Sequence, residues 1–364
     1  MKRRILFFSL SDSVYGGEVS LLTTILALPP ATRDLTAVVV PARGRLTERL
    51  ERHEIAWIEH PLNEPNGIWT APLLYARARA WLRAQEASLL YFNAASYWRP
   101  LEILAAKHLR IPVVTHHRTD VSPLSPYHPT NRLVLANSHY LAGRIPRDDV
   151  VVVDNPVDLK RFEGVEPDPT RFGLAPGQTG VFFIGQLKRI KGVDEFIDAA
   201  DLLATAHPNA RFVLVGDTQD QEYRDHVRRR VAQAPNVVWS GYMPDVEVAF
   251  LTADIVAMPS NWDEPFGRIA IEAGAARKPI VATRAGGIPE VVAENETGLL
   301  CERESPDELA ECIQSLLQNP ELRQRMGQAG RELAENRFAA EHVAAKIEAL
   351  IAPLLSGRGQ PHRG

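Results

Sequence analysis

Short apolar runs that end in glycine or polar turn residues, each followed by a helical segment, recur from one end of the chain to the other, and nothing else in the sequence restricts the fold so strongly. In the first half residues 5–8, 37–40, 56–58, 88–92, 113–115 and 133–136 read as strands, with helices over 19–28, 46–53, 73–83 and 101–109. Continuous apolar runs are the mark of strands buried on both faces, and strand and helix taking turns implies parallel βαβ units. The second half repeats the pattern with strands at 180–185, 212–217, 253–259 and 280–283, a segment 237–245 that suits backbone contacts to a base, a buried strand around Trp239, or both, then helices at 307–318, 320–338 and 340–355. The expected fold class is α/β, with two Rossmann-like sheets.

A chain of 364 residues has room for two such cores. The proline-rich stretch with Pro167, Pro169 and Pro176 reads as the connection. We place the first domain at residues 1–158, completed by the helix 340–355, the second at 159–339, and a disordered tail at 356–364. Residues 1–155 carry 18 Lys and Arg against 14 Asp and Glu, and residues 156–364 carry 23 against 31. Such an asymmetry fits a basic half facing an anionic surface, or a plain difference in surface composition. Cys301 and Cys312 are too few for a disulfide framework and lack metal-ligand spacing, which suits a reducing, cytoplasmic setting. The start, Met1-Lys-Arg-Arg-Ile-Leu-Phe-Phe, has too short an apolar run for a signal peptide and reads as the first buried strand. No metal site and no nucleic-acid partner are expected.

The chemistry concentrates after the run 253–259, in Glu264-Pro-Phe-Gly-Arg-Ile-Ala-Ile-Glu272. An apolar strand entering a Pro/Gly turn that opens a helix is the corner where open α/β sheets hold ligands. Were the whole stretch helical, the two carboxylates would lie about 80° apart and two turns distant. Glu264 is therefore placed in the loop and Glu272 inside the helix. Helix-start amides near Phe266 and Gly267 suit a pyrophosphate, and Arg268 falls in the first turn. An ionised carboxylate only accepts hydrogen bonds, so Glu264 suits sugar hydroxyls and Glu272 the two ribose hydroxyls. Read alone, the pair is equally compatible with a helix-dipole Glu and a solvated mid-helix Glu.

Other corners repeat the theme. Gly16 and Gly17, between the first strand and helix, allow close backbone approach or a tight turn. Thr115-His-His-Arg118 ends a strand and offers acid/base candidates, of which one histidine must point elsewhere. Tyr97-Trp98 suits either stacking on an acceptor sugar or the core of the next helix. Gln186-Leu-Lys-Arg-Ile-Lys-Gly192 puts cations at a strand–loop–helix corner. Arginines beside Trp81 in the helix around 73–83 suit an anionic bilayer, or simply a surface helix.

Glu264-Pro-Phe-Gly, followed by Lys278-Pro-Ile-Val-Ala-Thr-Arg-Ala-Gly-Gly-Ile-Pro-Glu290 and Thr297-Gly-Leu-Leu300, resembles the signature of the retaining family-4 glycosyltransferases of GT-B fold, group 1 type with the E-x7-E motif. The resemblance implies two Rossmann-like domains facing across a cleft. It places Gly16 and Gly17 opposite the donor diphosphate and His117, rather than His116, near donor sugar and acceptor. It also sets Gly216 and the segment with Tyr242 beside the nucleotide, and Lys191 on the diphosphate. Gln186 stands where the family usually has a second cation, an arginine; Lys188, Arg189 and Arg268 are the candidates to compensate, and Arg268 is the one expected to, because it falls in the first turn of the helix. Arg118 likewise replaces the usual Asp or Gly.

The expected function is a retaining, metal-independent glycosyltransferase without a cofactor, with Glu264, His117 and Lys191 as catalytic residues. It would move a sugar from a nucleotide-diphosphate donor, a UDP-sugar first and a GDP-sugar second, to a glycan, lipid-linked or small-molecule acceptor in polysaccharide biosynthesis. A cytoplasmic protein with peripheral contact to the inner membrane leaflet fits this reading. The alternatives are a catalytically silent nucleotide-sugar binding protein and a GT-B phosphorylase or hydrolase.

Overall fold

The computed structural model describes residues 4–60, 71–93, 99–119 and 132–356. The chain forms two compact units, residues 1–156 with 340–364, and 157–339. The tail expected to be disordered lies, from residue 357 on, outside the described residues.

The first unit contains strands β1 (Arg4–Phe8), β2 (Thr36–Val40), β3 (Trp57–Glu59), β4 (Ala87–Phe92), β5 (Val113–His117), β6 (Leu133–Ala136) and β7 (Val151–Val152). Its helices are α1 (Gly16–Ala27), α2 (Pro30–Arg33), α3 (Arg45–Arg52), α4 (Ala71–Ala84), α5 (Pro100–His108) and α6 (His139–Ala142). All seven strands are parallel, in the order β3-β2-β1-β4-β5-β6-β7. The apolar runs explain this directly. Successive strand residues point to opposite faces, so Ile5, Phe7, Val38 and Val40 enter one core layer while Leu6, Phe8, Ala37 and Val39 enter the other.

The second unit repeats the plan with β8 (Thr179–Ile184), β9 (Ala210–Val215), β10 (Val237–Gly241), β11 (Ile255–Met258), β12 (Ile280–Thr283) and β13 (Gly298–Cys301). Its helices are α7 (Val193–Leu203), α8 (Gln221–Gln233), α9 (Val246–Thr252), α10 (Arg268–Ala275), α11 (Pro306–Gln318) and α12 (Pro320–Leu333). The order is β10-β9-β8-β11-β12-β13, again parallel throughout. Phe182, Ile184, Val256 and Met258 pack on one face, and Val181, Phe183, Ile255 and Ala257 on the other. Each fully buried side chain of this kind contributes about 1.5–3 kcal/mol. Asp220, Ser305 and Asn319 cap α8, α11 and α12 by accepting backbone N–H groups.

Helix α12 runs on through a π-helical turn, Ala334–Phe338, before the last helix α13 (Ala340–Leu355). Although last in sequence, α13 belongs to the first unit. It lies on α1, with Val343, Ala344, Ile347 and Ile351 in the same core layer as Ile5 and Phe7, and Glu348 accepts from the Thr32 hydroxyl at 2.7 Å. In both sheets the strand order reverses beside the unit's first strand, between β1 and β4 and between β8 and β11. Such switch points are where open α/β sheets bind ligands. The fold is GT-B: two Rossmann-like units, each a parallel sheet with helices.

Candidate functional site

In the second unit the loops leaving β8 and β11 meet at the switch point. After β8, Leu187 is fully buried while Gln186 and Lys188 are exposed, and a 3₁₀ turn, Arg189–Lys191, leads to Gly192 and α7. Gly192 has φ +75°, and a Cβ there would sit 1.7 Å from the Pro259 carbonyl oxygen. Only glycine lets the two loops approach so closely. The Asn261 N–H donates to the Ile190 carbonyl at 2.9 Å, and the Asn261 amide donates to Glu195 Oε1 at 2.7 Å.

This stitching delivers Lys191 to Glu264. The ammonium donates to Glu264 Oε1 and lies 4.9 Å from the centroid of the Trp262 ring. The same Oε1 accepts from the Ser260 hydroxyl at 2.9 Å, and Ser260 is itself held through its carbonyl by the Thr283 hydroxyl at 2.7 Å. Behind Glu264 the Gly286-Gly287 turn fits closely. The Gly287 N–H donates to the Glu264 carbonyl at 2.7 Å, and a Cβ on Gly286 would come within 2.3 Å of that oxygen. The pair stays open to solvent, with side-chain exposures of 26% for Lys191 and 12% for Glu264.

Glu264 lies in the loop and Glu272 in α10, as the spacing implies. The helix starts one residue after the amides expected near Phe266 and Gly267: Gly267, at φ +101°, precedes it and Arg268 is its first residue. Among the described residues no side chain caps this start, and no carboxylate occupies its first turn, so the helix dipole there favours an anion. The Phe266 ring is buried, edge-on to Phe338 at 5.8 Å, so only its backbone faces the corner. Arg268 donates to Glu272 Oε1 at 2.5 Å, one turn along the helix. Its guanidinium is therefore engaged with a carboxylate rather than standing ready in place of the cation missing at Gln186. Gly216 closes the ends of β8, β9 and β10: its missing Cβ would lie 1.7 Å from the Gly185 oxygen, and its carbonyl accepts from the Trp239 indole at 2.9 Å. Tyr242, just beyond β10, is 61% exposed.

In the first unit Gly16 and Gly17 are the opening residues of α1 rather than part of a loop before it, and the helix begins earlier than the predicted 19–28. The Gly17 carbonyl accepts from the Asn93 amide at 3.0 Å, across the switch point. A Cβ on Gly17 would meet no heavy atom nearer than Asn93 Nδ2 at 4.0 Å, so packing does not demand this glycine. Glu18 folds back on the helix start, accepting from the Tyr15 N–H at 3.3 Å and the Ser9 hydroxyl at 3.4 Å. Burial pushes its carboxyl above the ordinary range, with those hydrogen bonds and the Arg118 charge opposing.

Both histidines lie inside β5 and are buried, and alternation sends them to opposite faces. His116 is a core residue. Its Nε2–H donates to the Val153 carbonyl at 3.2 Å, which fixes the tautomer, and its Nδ1 accepts from the Tyr91 hydroxyl at 2.6 Å. Burial, with the Arg118 charge, holds its pKa well below the ordinary value. His117 is left on the other face, its carbonyl accepting from the Asn137 N–H at 3.1 Å. Arg118 donates through Nε to Asn93 at 2.7 Å and through Nη1 to Asn155. The residues that sequence reasoning missed follow one rule: Asn93, Asn137, Asn155 and Ser260 all stand just beyond the C-terminal ends of parallel strands. Tyr97 and Trp98 lie outside the described residues. Trp81 on α4 is partly buried and stacks on His60 at 4.0 Å, while Arg77 and Arg83 on the same helix are exposed.

Residues 166–333 match the family model for glycosyl transferases group 1. The chain is 30% identical to a D-inositol 3-phosphate glycosyltransferase of Segniliparus rotundus over 62% of its own length and 55% of the relative's. It is 30% identical to a glycogen synthase of Mycobacterium tuberculosis over 58% and 50%. It thus spans about half the length of these curated relatives. Among solved structures, Anabaena HepE, crystallised with UDP and glucose, superposes with a TM-score of 0.81 at 25% identity, covering 96% of this chain and 99% of that one. A Rickettsia africae glycosyltransferase shares the fold at a TM-score of 0.84 and 18% identity, covering 97% and 99%. Over the second unit the chain is therefore similar to glycosyl transferases of group 1, and over nearly its whole length it shares the GT-B fold of these structures.

Proposed function

We infer that the chain is a retaining, metal-independent glycosyltransferase that uses a UDP-sugar, with a GDP-sugar as the second choice. The observation that carries this reading is the Lys191–Glu264 pair at the switch point of the second unit, beside the uncapped start of α10. A diphosphate at that corner meets the Lys191 ammonium and the helix dipole, both of which stabilise charge as it develops on a leaving group. Glu264, held by Ser260 and the Gly286-Gly287 turn, accepts hydrogen bonds from the sugar. Glu272 accepts from the ribose hydroxyls with the oxygen that Arg268 leaves over. His117 serves the sugar or the acceptor from the first unit. In the transfer step the acceptor oxygen bonds to the anomeric carbon on the face from which the diphosphate departs. The carbon–oxygen bond to phosphate breaks, and the departing phosphate oxygen takes the acceptor's proton.

The acceptor is a glycan, a lipid-linked precursor or a small molecule, and the setting is cytoplasmic. Among the described residues no helix is long and apolar enough to cross a membrane. Peripheral contact with the inner leaflet would use the outer face of α4, where Leu73 is 64% exposed beside Arg77. Failure to sediment with anionic vesicles at low salt would remove that part of the reading.

The test of the donor reading is thermal melting of wild type and Lys191→Ala against UDP, GDP, ADP and dTDP. A ligand at 100 times its dissociation constant adds about 2.7 kcal/mol. A selective shift that Lys191→Ala abolishes supports the assignment, and no shift with any of the four rejects it.

A further inference from the structure

Three cations follow β8 within four residues, and two are engaged. Lys191 pairs with Glu264. Arg189 lies 3.7 Å from Asp194 and over the Tyr223 ring at 4.8 Å. Across the corner Arg268 is paired with Glu272. Each pair is neutral as a unit, so none offers an incoming anion a whole charge without first giving up a carboxylate. Lys188 is the exception: it is exposed, and its ammonium has no hydrogen-bond or ion-pair partner among the described residues.

A lone surface lysine is ordinary, and its position is what distinguishes this one. The backbone at Lys188 is extended, with φ −139° and ψ 147°. Leu187 before it is fully buried, and its N–H donates to the Asp217 carbonyl at 3.0 Å. Leu187 is buried between the exposed Gln186 and Lys188, so both of these side chains face away from the core that holds Leu187. Their Cα atoms are about 6–7 Å apart, a gap that the four-carbon stem of a lysine spans. A cation at 188 can therefore serve the ground that residue 186 overlooks, where an uncharged glutamine stands.

We propose that Lys188 is a donor-binding residue that contacts the diphosphate and supplies the positive charge Gln186 lacks. The proposal rests on the donor reading above. It makes the two positions interchangeable in function, which a merely solvated lysine would not be.

The test is calorimetric titration of UDP into wild type, Lys188→Ala and Gln186→Arg/Lys188→Ala, with GDP and ADP also titrated into wild type. Lys188→Ala is expected to weaken UDP about tenfold, as loss of one charge-assisted contact does. Its binding should also fall less than wild type's as NaCl rises from about 0.05 to 0.5 M, one charge having left the interaction. Adding Gln186→Arg should bring Lys188→Ala back to within about threefold of wild type. Wild-type affinity in Lys188→Ala, or no recovery with Gln186→Arg, overturns the proposal and leaves the donor reading standing. Wild type that binds none of UDP, GDP and ADP overturns both.

Discussion

Replacing Gly192 with alanine asks whether the two loops of the second unit must touch for the site to exist. Gly192 sits at φ +75° and ψ 31°, a region that costs an L-residue about 1–2 kcal/mol. Its added Cβ would lie 1.7 Å from the Pro259 oxygen, where ordinary contact begins near 3.4 Å. The loops must therefore part by more than an ångström, an overpacking cost of about 1–3 kcal/mol. The total is about 3 kcal/mol, which for a unit of this size lowers Tm by about 6–12 °C. Parting the loops also breaks the Asn261–Ile190 bond and draws Lys191 from Glu264, so UDP affinity should fall together with stability. Gly241→Ala is the control. It has the same sign of φ, +77°, but nothing among the described residues within 4 Å of the added Cβ, so only the conformational cost of about 1–2 kcal/mol applies, a Tm drop of about 2–8 °C. Differential scanning calorimetry of the three proteins, with UDP titrated into each, decides the matter. If Gly192→Ala melts no lower than Gly241→Ala and binds UDP as wild type does, close approach of the loops does not build the site.

Other perturbations follow from the same geometry. His116 stays neutral in the folded state while the unfolded chain takes up a proton below the ordinary imidazole value of 6.5. Its contribution to stability is therefore whole above that pH and is lost as pH falls towards the depressed folded value, by up to about 1.4 kcal/mol per pH unit; His116→Phe should flatten that slope in urea titrations from pH 7 to 5, and an unchanged slope would rule out the assignment. Ile347, fully buried on α13, should cost about 2–5 kcal/mol when cut to alanine, seen as earlier denaturant unfolding of the first unit although the change lies in the last helix of the chain. Glu264→Gln should lower sugar transfer about 100-fold while UDP binds at least as tightly, because Lys191 loses its internal competitor; weakened UDP binding with transfer intact would reverse the assigned roles. Treatment with EDTA should leave transfer within about twofold, since a lysine and a helix start are assigned the diphosphate charge, and full loss with recovery on adding a divalent cation would refute that assignment.

How much of this was legible beforehand depended on how local the cause is. The strands were readable because runs such as Ile5–Phe8 and Ile280–Ala282 are apolar throughout, as parallel strands buried on both faces are. Boundaries slipped where a glycine pair blurred the helix start, as at Gly16 and Gly17, which are helical. The loop position of Glu264 and the helical position of Glu272 were legible because a proline and a glycine stand between them. The partners of these residues were not. That Arg268 meets Glu272 is implicit in their i,i+4 spacing, yet a motif that assigns each side chain to a ligand passes over it. The pairing of Lys191 with Glu264 and Trp262, and its dependence on Gly192, arise only when the loops after β8 and β11, neighbours in the sheet but far apart in sequence, are brought into contact. No window of sequence contains both loops.

The Lys191–Glu264 contact has a consequence for catalysis on the donor reading. An enzyme gains rate from interactions stronger in the transition state than in the ground state. With Lys191 bonded to Glu264, a donor must exchange one anion for another at the ammonium, so the net gain on binding is smaller than that of an unpaired lysine. The exchange frees a Glu264 oxygen that Ser260 still orients, and that oxygen becomes available to the sugar only after phosphate has engaged Lys191. Phosphate recognition and sugar recognition are thereby coupled through one hydrogen bond. As the diphosphate departs its charge grows, its hold on Lys191 strengthens, and Glu264 is drawn further towards the sugar. A pair that lowers ground-state affinity in this way favours the step in which the bond breaks.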